Sequence, residues 1–237
     1  MDSIQRNSES DKAVKKPVEI AVFDFDGTCI SANSPVLLVK YLLRAGKLKP
    51  SAFLRIVLWG IAYKLHLPQN EAWVRSLVFS SFEGMSKKDA DEEMYRFYDS
   101  WIVSCIRPKA LEMMREHIAC GREIWIVSAT FDPIIVRAHQ DLPYDHHVAT
   151  DMKVDAQGRY TREVEGRPVE GAEKLRQIEE HANEVHGAGN WRLAYAYGDH
   201  YSDSPLLAAA QHPFAVTPGP TLQRLAEKEG WGILDWK

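Results

Sequence analysis

Three short apolar segments, far apart along the chain, constrain the fold more than any other feature of the sequence. They cover residues 18–25, 123–129 and 192–198, and charged or turn-forming residues bound each of them. Continuous apolar runs of this length are typical of strands buried on both faces of a parallel sheet. Weaker runs at 147–150 and 214–216 predict two further strands.

Helical patterns lie between these strands. Residues 108–120 are followed by Gly121, and residues 171–185 end close to Gly187, as expected where glycine terminates a helix. Alternation of strand and helix predicts an α/β fold with a doubly wound parallel sheet. Residues 153–164 contain a Gln-Gly turn between two short runs and predict a surface hairpin.

Residues 31–107 interrupt the alternation, because they hold about four successive helical patterns and no convincing strand. We therefore predict a core domain of residues 18–30 and 108–237, with an all-helical cap inserted at 31–107. Residues 1–17 are polar, lack the apolar segment of a secretory signal, and are expected to form a disordered arm. Three cysteines without a close pair are typical of a cytoplasmic protein.

Charge is distributed unevenly along the chain. The formal net charge of −4 argues against a general nucleic-acid-binding protein. Residues 31–80 nevertheless carry seven basic side chains and one acidic one, Glu71. Because anionic membranes attract basic segments, peripheral contact with the inner membrane surface is one expectation. The apolar run at 52–67 is too short to span a bilayer and predicts a helix that is either buried in the cap or lies against lipid.

The strongest chemical signal is the sequence Asp24-Phe25-Asp26-Gly27-Thr28 at the end of the first strand. Since side chains alternate along a strand, Asp24 and Asp26 are expected on the same side. Carboxylates this close repel each other unless a cation lies between them or one holds a proton. Gly27 permits a tight exit and close approach of a ligand, while Thr28 offers a hydroxyl and an N–H group.

Two later positions each have two interpretations: Ser128 is either an ordinary hydroxyl at a strand end or a contact for an anion, and Lys174 is either a solvated lysine or a contact for an anion. Ser128 ends the second strand, and Asp132 and Pro133 are expected to cap and open the next helix, whose N–H groups would then be free to bind phosphate. Lys174 lies at the start of a later helix, where a cation opposes the helix dipole and indicates a nearby anion.

An acidic pair follows the third strand, where residues 198–207 read GDHYSDSPLL. Ser204 and Pro205 are suited to cap and open a helix, which would leave Asp199 on the loop that faces the first strand. Asp24 and Asp199 are therefore expected to share a site, although they are distant in sequence.

Taken in order from residue 24 to residue 207, these patterns resemble the four motifs of the haloacid dehalogenase-like (HAD) hydrolases. The helical insertion resembles the cap of subfamily IB, which includes phosphoserine phosphatases and phosphatidylglycerophosphatase-like enzymes. The resemblance implies a Rossmann-like core and a Mg²⁺-dependent phosphomonoester phosphatase that works through an aspartyl-phosphate intermediate.

The resemblance also implies a role for each matching residue. Asp24 would be the nucleophile, and Asp26 the general acid and base. Asp24, the backbone carbonyl of Asp26 and Asp199 would hold Mg²⁺, which prefers oxygen ligands. Ser128 and Lys174 would bind the phosphoryl oxygens, where negative charge must be neutralised.

Asp203 is expected to orient the site from behind, toward Lys174. The positions expected to contact substrate are Gly27, Thr28, Asn33, Ala129, Thr130 and His200. Family members that act on phosphoserine carry Glu nine residues after the nucleophile, where this chain has Asn33. A neutral amide stabilises a ligand ammonium less than a carboxylate does, which makes phosphoserine an alternative rather than the first choice.

Other functions stay open at this point. A soluble phosphometabolite and a phospholipid phosphate are both candidate substrates, and the basic cap favours the second. Phosphoryl transfer to an acceptor other than water would use the same residues. An inactive HAD-fold binding protein is the alternative of another class, although the chain retains every key carboxylate and the lysine. The sequence makes no prediction of the oligomeric state.

Overall fold

The computed structural model describes residues 16–48, 51, 53–56, 58 and 77–237. Within these residues, six parallel strands form one sheet in the order β3-β2-β1-β6-β7-β8. A separate antiparallel pair, β4 and β5, forms a hairpin. The strands are β1 Val18–Asp24, β2 Glu123–Phe131, β3 His146–Thr150, β4 Met152–Val154, β5 Tyr160–Val164, β6 Trp191–Gly198, β7 His212–Val216 and β8 Gly232–Leu234.

Helices cover both faces of the sheet, which confirms the predicted doubly wound α/β fold. Residues 51, 53–56, 58 and 77–79 are also helical, and a π-helical turn, Tyr98–Ile102, follows α2. The α-helices described end to end are α1 Ser34–Arg44, α2 Lys87–Phe97, α3 Pro108–Ala119, α4 Asp132–Ala138, α5 Ala172–His186, α6 Ser204–Ala209 and α7 Pro220–Glu229.

Two hydrophobic cores lie on opposite faces of the central strand. Ile20 and Val22 of β1 belong to the core that α5, α6 and α7 cover. The residues between and after them, Ala21 and Phe23, belong to the core shared with α1 to α4. This alternation is the pattern of a strand buried on both faces, and it fixes the direction of the residues that follow β1.

The five predicted strands are present, each within two residues of its predicted bounds. β8 was not predicted, because its three residues are too short to give a pattern. β2 runs two residues beyond its predicted end, since a register shift after Ser128 returns Phe131 to pairing with Thr150 of β3.

The predicted hairpin forms, and residues 155–159, 162 and 163 are exposed as expected, but its other face is not at the surface. Met152 and Tyr160 are buried, and the Tyr160 ring lies 5.5 Å from that of Phe131 at the end of β2. The Tyr160 hydroxyl donates a hydrogen bond of 2.7 Å to Asp91 in α2. One apolar face of the hairpin therefore packs between the sheet and residues 31–107, which we call the inserted segment.

Residues 29–31 and 105–107 run side by side. The Ser31 N–H donates to the Cys105 carbonyl at 2.8 Å, and the Arg107 N–H donates to the Cys29 carbonyl at 2.9 Å. The described residues between 31 and 105 form helices, turns and one isolated β-bridge, from Ser86 to Arg159.

Three sequence predictions concern segments that lie outside the described residues, wholly or in part. They are the arm at 1–17, apart from residues 16 and 17, the second half of the run at 52–67, and several of the basic positions between 49 and 75. Within the described part of the chain, no helix combines the length and apolar character needed to cross a bilayer.

A buried carboxylate stabilises the inserted segment. Glu93 of α2 accepts hydrogen bonds from the Tyr41 hydroxyl at 2.7 Å and from Arg96 at 2.7 Å, and Lys47 lies 2.5 Å away. Burial alone would raise the pKa of Glu93, but the bonds from Lys47, Arg96 and Tyr41 lower it to about 2. The ionised carboxylate thus contributes to stability at neutral pH.

Glu93→Gln is expected to lower the free energy of unfolding at pH 7 by about 2 kcal/mol, because it leaves charged partners without their carboxylate. The native pKa lies below the ordinary value of 4.5, so this contribution is complete above about pH 5 and declines as pH falls toward 2. Urea unfolding at several pH values measures the difference. Glu92→Gln, which makes the same change at the exposed neighbouring residue, is the control. If the loss of unfolding free energy in Glu93→Gln were as large in acid as at pH 7, the ion-pair account would be contradicted.

Candidate active site

The predicted site residues meet at the carboxyl ends of three neighbouring strands. Asp24 ends β1 and pairs in register with Val127 of β2, so Ser128 lies one residue beyond on one side. Phe23 pairs with Tyr197 of β6, and Asp199 follows that strand on the other side. In open α/β sheets this edge, where the strand order reverses, is where ligands bind.

A compact group of carboxylates surrounds one lysine. One oxygen from each of Asp24, Asp199 and Asp203 lies within 4.8 Å of the other two. The Lys174 Nζ atom lies 2.6 Å from Asp24 Oδ1 and 2.6 Å from Asp203 Oδ1, and all three side chains of this bridge are buried. Three carboxylates against one ammonium leave a formal charge of −2 when all are ionised.

The electrostatics of this group favour an added cation. Burial raises the pKa of Asp24 well above its ordinary value, although Lys174 opposes the shift. Burial and the charge of Asp203 raise the pKa of Asp199 to about 7. Burial would lower the pKa of Lys174, but its two carboxylate partners raise it, so the ammonium is retained. Hard oxygen donors with surplus negative charge fit Mg²⁺.

Gly27 lies against Asp199 rather than only providing space for a ligand. Its φ of +76° is in the left-handed region, and a Cβ atom there would lie 2.1 Å from Asp199 Oδ2. The glycine was predicted to permit close approach of a ligand; the close approach observed is to the Asp199 carboxylate. Gly27 therefore allows the Asp24 loop and the Asp199 loop to come together.

Ser34 is a site residue that the sequence analysis missed. Its N–H donates to Asp26 Oδ1 at 2.5 Å, and its hydroxyl donates to Asp26 Oδ2 at 2.9 Å. Burial raises the pKa of Asp26 to about 6, although the bonds from Ser34 oppose the shift. The only signal in the sequence was a serine directly after a helix cap, and nothing local shows where its hydroxyl points.

The end of β2 differs in detail from the prediction. Ser128 is buried, and its Oγ accepts the Thr130 N–H at 3.1 Å. The expectation that Asp132 caps α4 was wrong: Phe131 is the cap residue, because β2 continues to that point. Residues 129–131 therefore separate Ser128 from the helix. Ala129 is half-buried, and the Thr130 hydroxyl lies 2.5 Å from that of Ser34.

The other predicted substrate contacts lie around this centre. Thr28 is buried, and its Oγ1 has no hydrogen-bond partner among the described residues. Asn33 instead caps α1, where its Oδ1 accepts the Val36 N–H at 3.1 Å. His200 is exposed; its backbone N–H donates to Asp203 Oδ2 at 3.2 Å, and its Nδ1 accepts the Ser202 N–H at 3.2 Å.

The chain is similar to known proteins over most of its length. A histidinol-phosphatase from Neisseria meningitidis serogroup C is 24% identical over 92% of this chain and 99% of its own length. An "Inhibition of morphological differentiation protein" from Streptomyces azureus is 29% identical over 93% of this chain and 79% of its own length. A crystal structure of a protein of unknown function from Bordetella pertussis superposes with a TM-score of 0.84, at 24% identity, and covers 94% of this chain and all of the other.

A family model gives the assignment. The model described as haloacid dehalogenase-like hydrolase matches residues 21–208, a range that starts inside β1 and ends inside α6. That range contains all of the carboxylates and the lysine that meet at the carboxyl edge of the sheet. The chain therefore belongs to the haloacid dehalogenase-like hydrolases.

Proposed function

We propose that this chain is a Mg²⁺-dependent phosphatase that hydrolyses phosphomonoesters through an aspartyl-phosphate on Asp24. The observation that carries the proposal is the group formed by the half-buried Asp199 and the buried Asp24 and Asp203 around Lys174. Hydrolysis of a phosphomonoester is extremely slow in water, and its catalysis depends on positioning and charge neutralisation. A lysine held between two carboxylates at the carboxyl ends of the strands supplies part of the positioning and part of the charge neutralisation.

In the first step, a carboxylate oxygen of Asp24 attacks phosphorus while the bond from phosphorus to the ester oxygen breaks. Asp24 Oδ1 accepts the Lys174 ammonium, whereas Oδ2 has no hydrogen bond from any described residue, which leaves Oδ2 free to attack. Lys174 keeps Asp24 oriented and lies where phosphoryl charge must be neutralised. The Ser128 hydroxyl would bind a second phosphoryl oxygen.

Asp26 acts as the general acid in the first step and as the general base in the second. Its carboxyl group donates a proton to the departing ester oxygen, and its carboxylate then takes a proton from the water that attacks the phosphorus of aspartyl-phosphate. That water releases phosphate and regenerates Asp24. A pKa near 6 suits this dual role, because both protonation states are accessible near neutral pH.

Asp24, Asp199 and the backbone carbonyl of Asp26 are the groups that we propose hold Mg²⁺, with Asp203 behind them on Lys174. When bound, Mg²⁺ would offset the negative charge that the carboxylates and the phosphoryl group share. The fit rests on the crowded oxygen donors and on Gly27, whose missing side chain lets Asp199 approach.

For the substrate we propose a small soluble phosphomonoester. The Neisseria relative is named for histidinol phosphate, an alkyl phosphomonoester. Asn33 uses its amide oxygen to cap α1, and this capping, together with its lack of charge, argues against recognition of the phosphoserine ammonium.

A phospholipid phosphate is the second candidate, because the exposed face of α1 carries both apolar and basic residues. Val36 and Leu43 are exposed on this helix, and Lys40 and Arg44 lie on the same side. Basic and aliphatic groups together favour contact with an anionic lipid surface.

The test is phosphate release by the purified chain from aryl, soluble alkyl and micellar lipid phosphates, with Mg²⁺ and with EDTA. We expect turnover that EDTA abolishes and Mg²⁺ restores. Asp199→Asn should weaken Mg²⁺ binding in calorimetry by at least about tenfold, because a neutral amide replaces a charged ligand. Asp235→Asn makes the same change at an exposed carboxylate that does not belong to the acidic group, and this variant should bind Mg²⁺ like the wild type. A wild type inactive on the whole panel would contradict the proposal.

A further inference from the structure

Both oxygens of the Asp26 carboxylate accept hydrogen bonds from one residue of the inserted segment. Ser34 is fully buried at the first position of α1, and it donates its N–H to Oδ1 at 2.5 Å and its hydroxyl to Oδ2 at 2.9 Å. Two bonds from one residue hold the orientation of the carboxylate as well as its position. Asn33 and Pro35, on either side, favour the start of the helix at this point.

The Ser34 hydroxyl is itself held from the opposite strand. Its oxygen lies 2.5 Å from the Thr130 hydroxyl of β2. Because a hydroxyl has a single proton, Ser34 accepts from Thr130 when it donates to the ionised Asp26. Thr130 is held in turn, since its N–H donates to Ser128 Oγ at 3.1 Å. A directed chain therefore runs from β2 through α1 to Asp26 and polarises each hydroxyl toward the carboxylate.

We propose that Ser34 is a positioning residue for Asp26, and that the first turn of the inserted segment thereby sets the geometry of proton transfer to the leaving group. The inference rests on the proposed function, in which Asp26 is the general acid. Ser34 itself touches neither phosphorus nor the ester oxygen in that scheme. Its effect must therefore appear wherever the leaving oxygen needs a proton.

If Ser34 acts through Asp26, its loss should affect substrates differently according to how much their leaving oxygen needs a proton. A residue that only stabilises the fold would affect all substrates alike. An alkoxide leaves poorly without a proton, whereas p-nitrophenolate is stable enough to leave almost unaided. A misoriented Asp26 should thus slow alkyl phosphates far more than p-nitrophenyl phosphate. The comparison uses kcat/KM, because this ratio reports the steps up to phosphoryl transfer and not the later hydrolysis of the aspartyl-phosphate.

The experiment measures kcat/KM of wild type and Ser34→Ala on p-nitrophenyl phosphate and on an alkyl phosphate that the wild type accepts. We expect a loss of about tenfold or more on the alkyl ester and of less than about threefold on the aryl ester. Ser100→Ala is the matched control, since among the described residues its hydroxyl donates to the Arg96 carbonyl alone. It should change neither value.

A second pair of variants keeps the test independent of how Ser34→Ala folds. Thr130→Val removes the outer hydroxyl at nearly constant volume and should show the same preference for loss on the alkyl ester, while Thr130→Ser should restore it. Equal losses on both esters, or no loss, would overturn the role of Ser34 while leaving the phosphatase assignment intact. A wild type without phosphatase activity would instead contradict the proposed function itself.

Discussion

Asp24→Asn is expected to abolish phosphate release, with kcat falling by at least about 10³-fold. An amide oxygen is a poor nucleophile toward phosphorus, so the aspartyl-phosphate cannot form. The substitution changes size little, and the retained amide oxygen still accepts the Lys174 ammonium that lies 2.6 Å from Asp24 in the wild type. Continuous assay on p-nitrophenyl phosphate, with Mg²⁺ in excess, measures the loss.

Two controls separate loss of the nucleophile from loss of charge or of fold. Asp99→Asn makes the same change at an ion pair with Arg137 outside the site and should keep wild-type activity. Beryllofluoride with Mg²⁺ mimics an acyl phosphate and should raise the melting temperature of the wild type but not of Asp24→Asn. Residual activity above about a tenth of the wild type, or an equal thermal shift in the variant, would exclude Asp24 as the nucleophile.

Gly27→Ala is expected to remove nearly all activity, by about 100-fold or more, because the new methyl group would occupy the position of the Asp199 carboxylate. A Cβ atom there would lie 2.1 Å from Asp199 Oδ2, so one of the two loops must move. Stability should also fall, by about 2–4 kcal/mol, from the left-handed backbone and the overlap together. Kinetic assays and urea unfolding measure the two effects.

Gly158→Ala offers a close match for the backbone part of this effect. Gly158 lies in the turn between β4 and β5 with φ of +74°, nearly the value of Gly27, but a Cβ atom there would meet nothing within 4 Å. This control should lose about 1 kcal/mol of stability and no activity. If Gly27→Ala were no worse than Gly158→Ala, the contact with Asp199 would not matter to the site.

The convergence of the site residues was predictable from the sequence. Asp24, Ser128 and Asp199 each end or follow a buried apolar run, and parallel strands bring their carboxyl ends to one edge. The resemblance to a known family then suggested which of these residues react. β2 is longer than predicted, because it contains a bulge after Ser128 and no residue type in the sequence indicates a bulge there.

The sequence by itself determined five of the six strands of the parallel sheet, and therefore which carboxylates meet, since these follow from short-range patterns of apolar residues. Only the tertiary structure decided that Ser34 holds Asp26, that Gly27 makes room for Asp199, and that the hairpin packs on the inserted segment. Each of these contacts joins segments through the packing of one element against another. Packing distances and angles depend on the whole assembled core, and no local pattern encodes them.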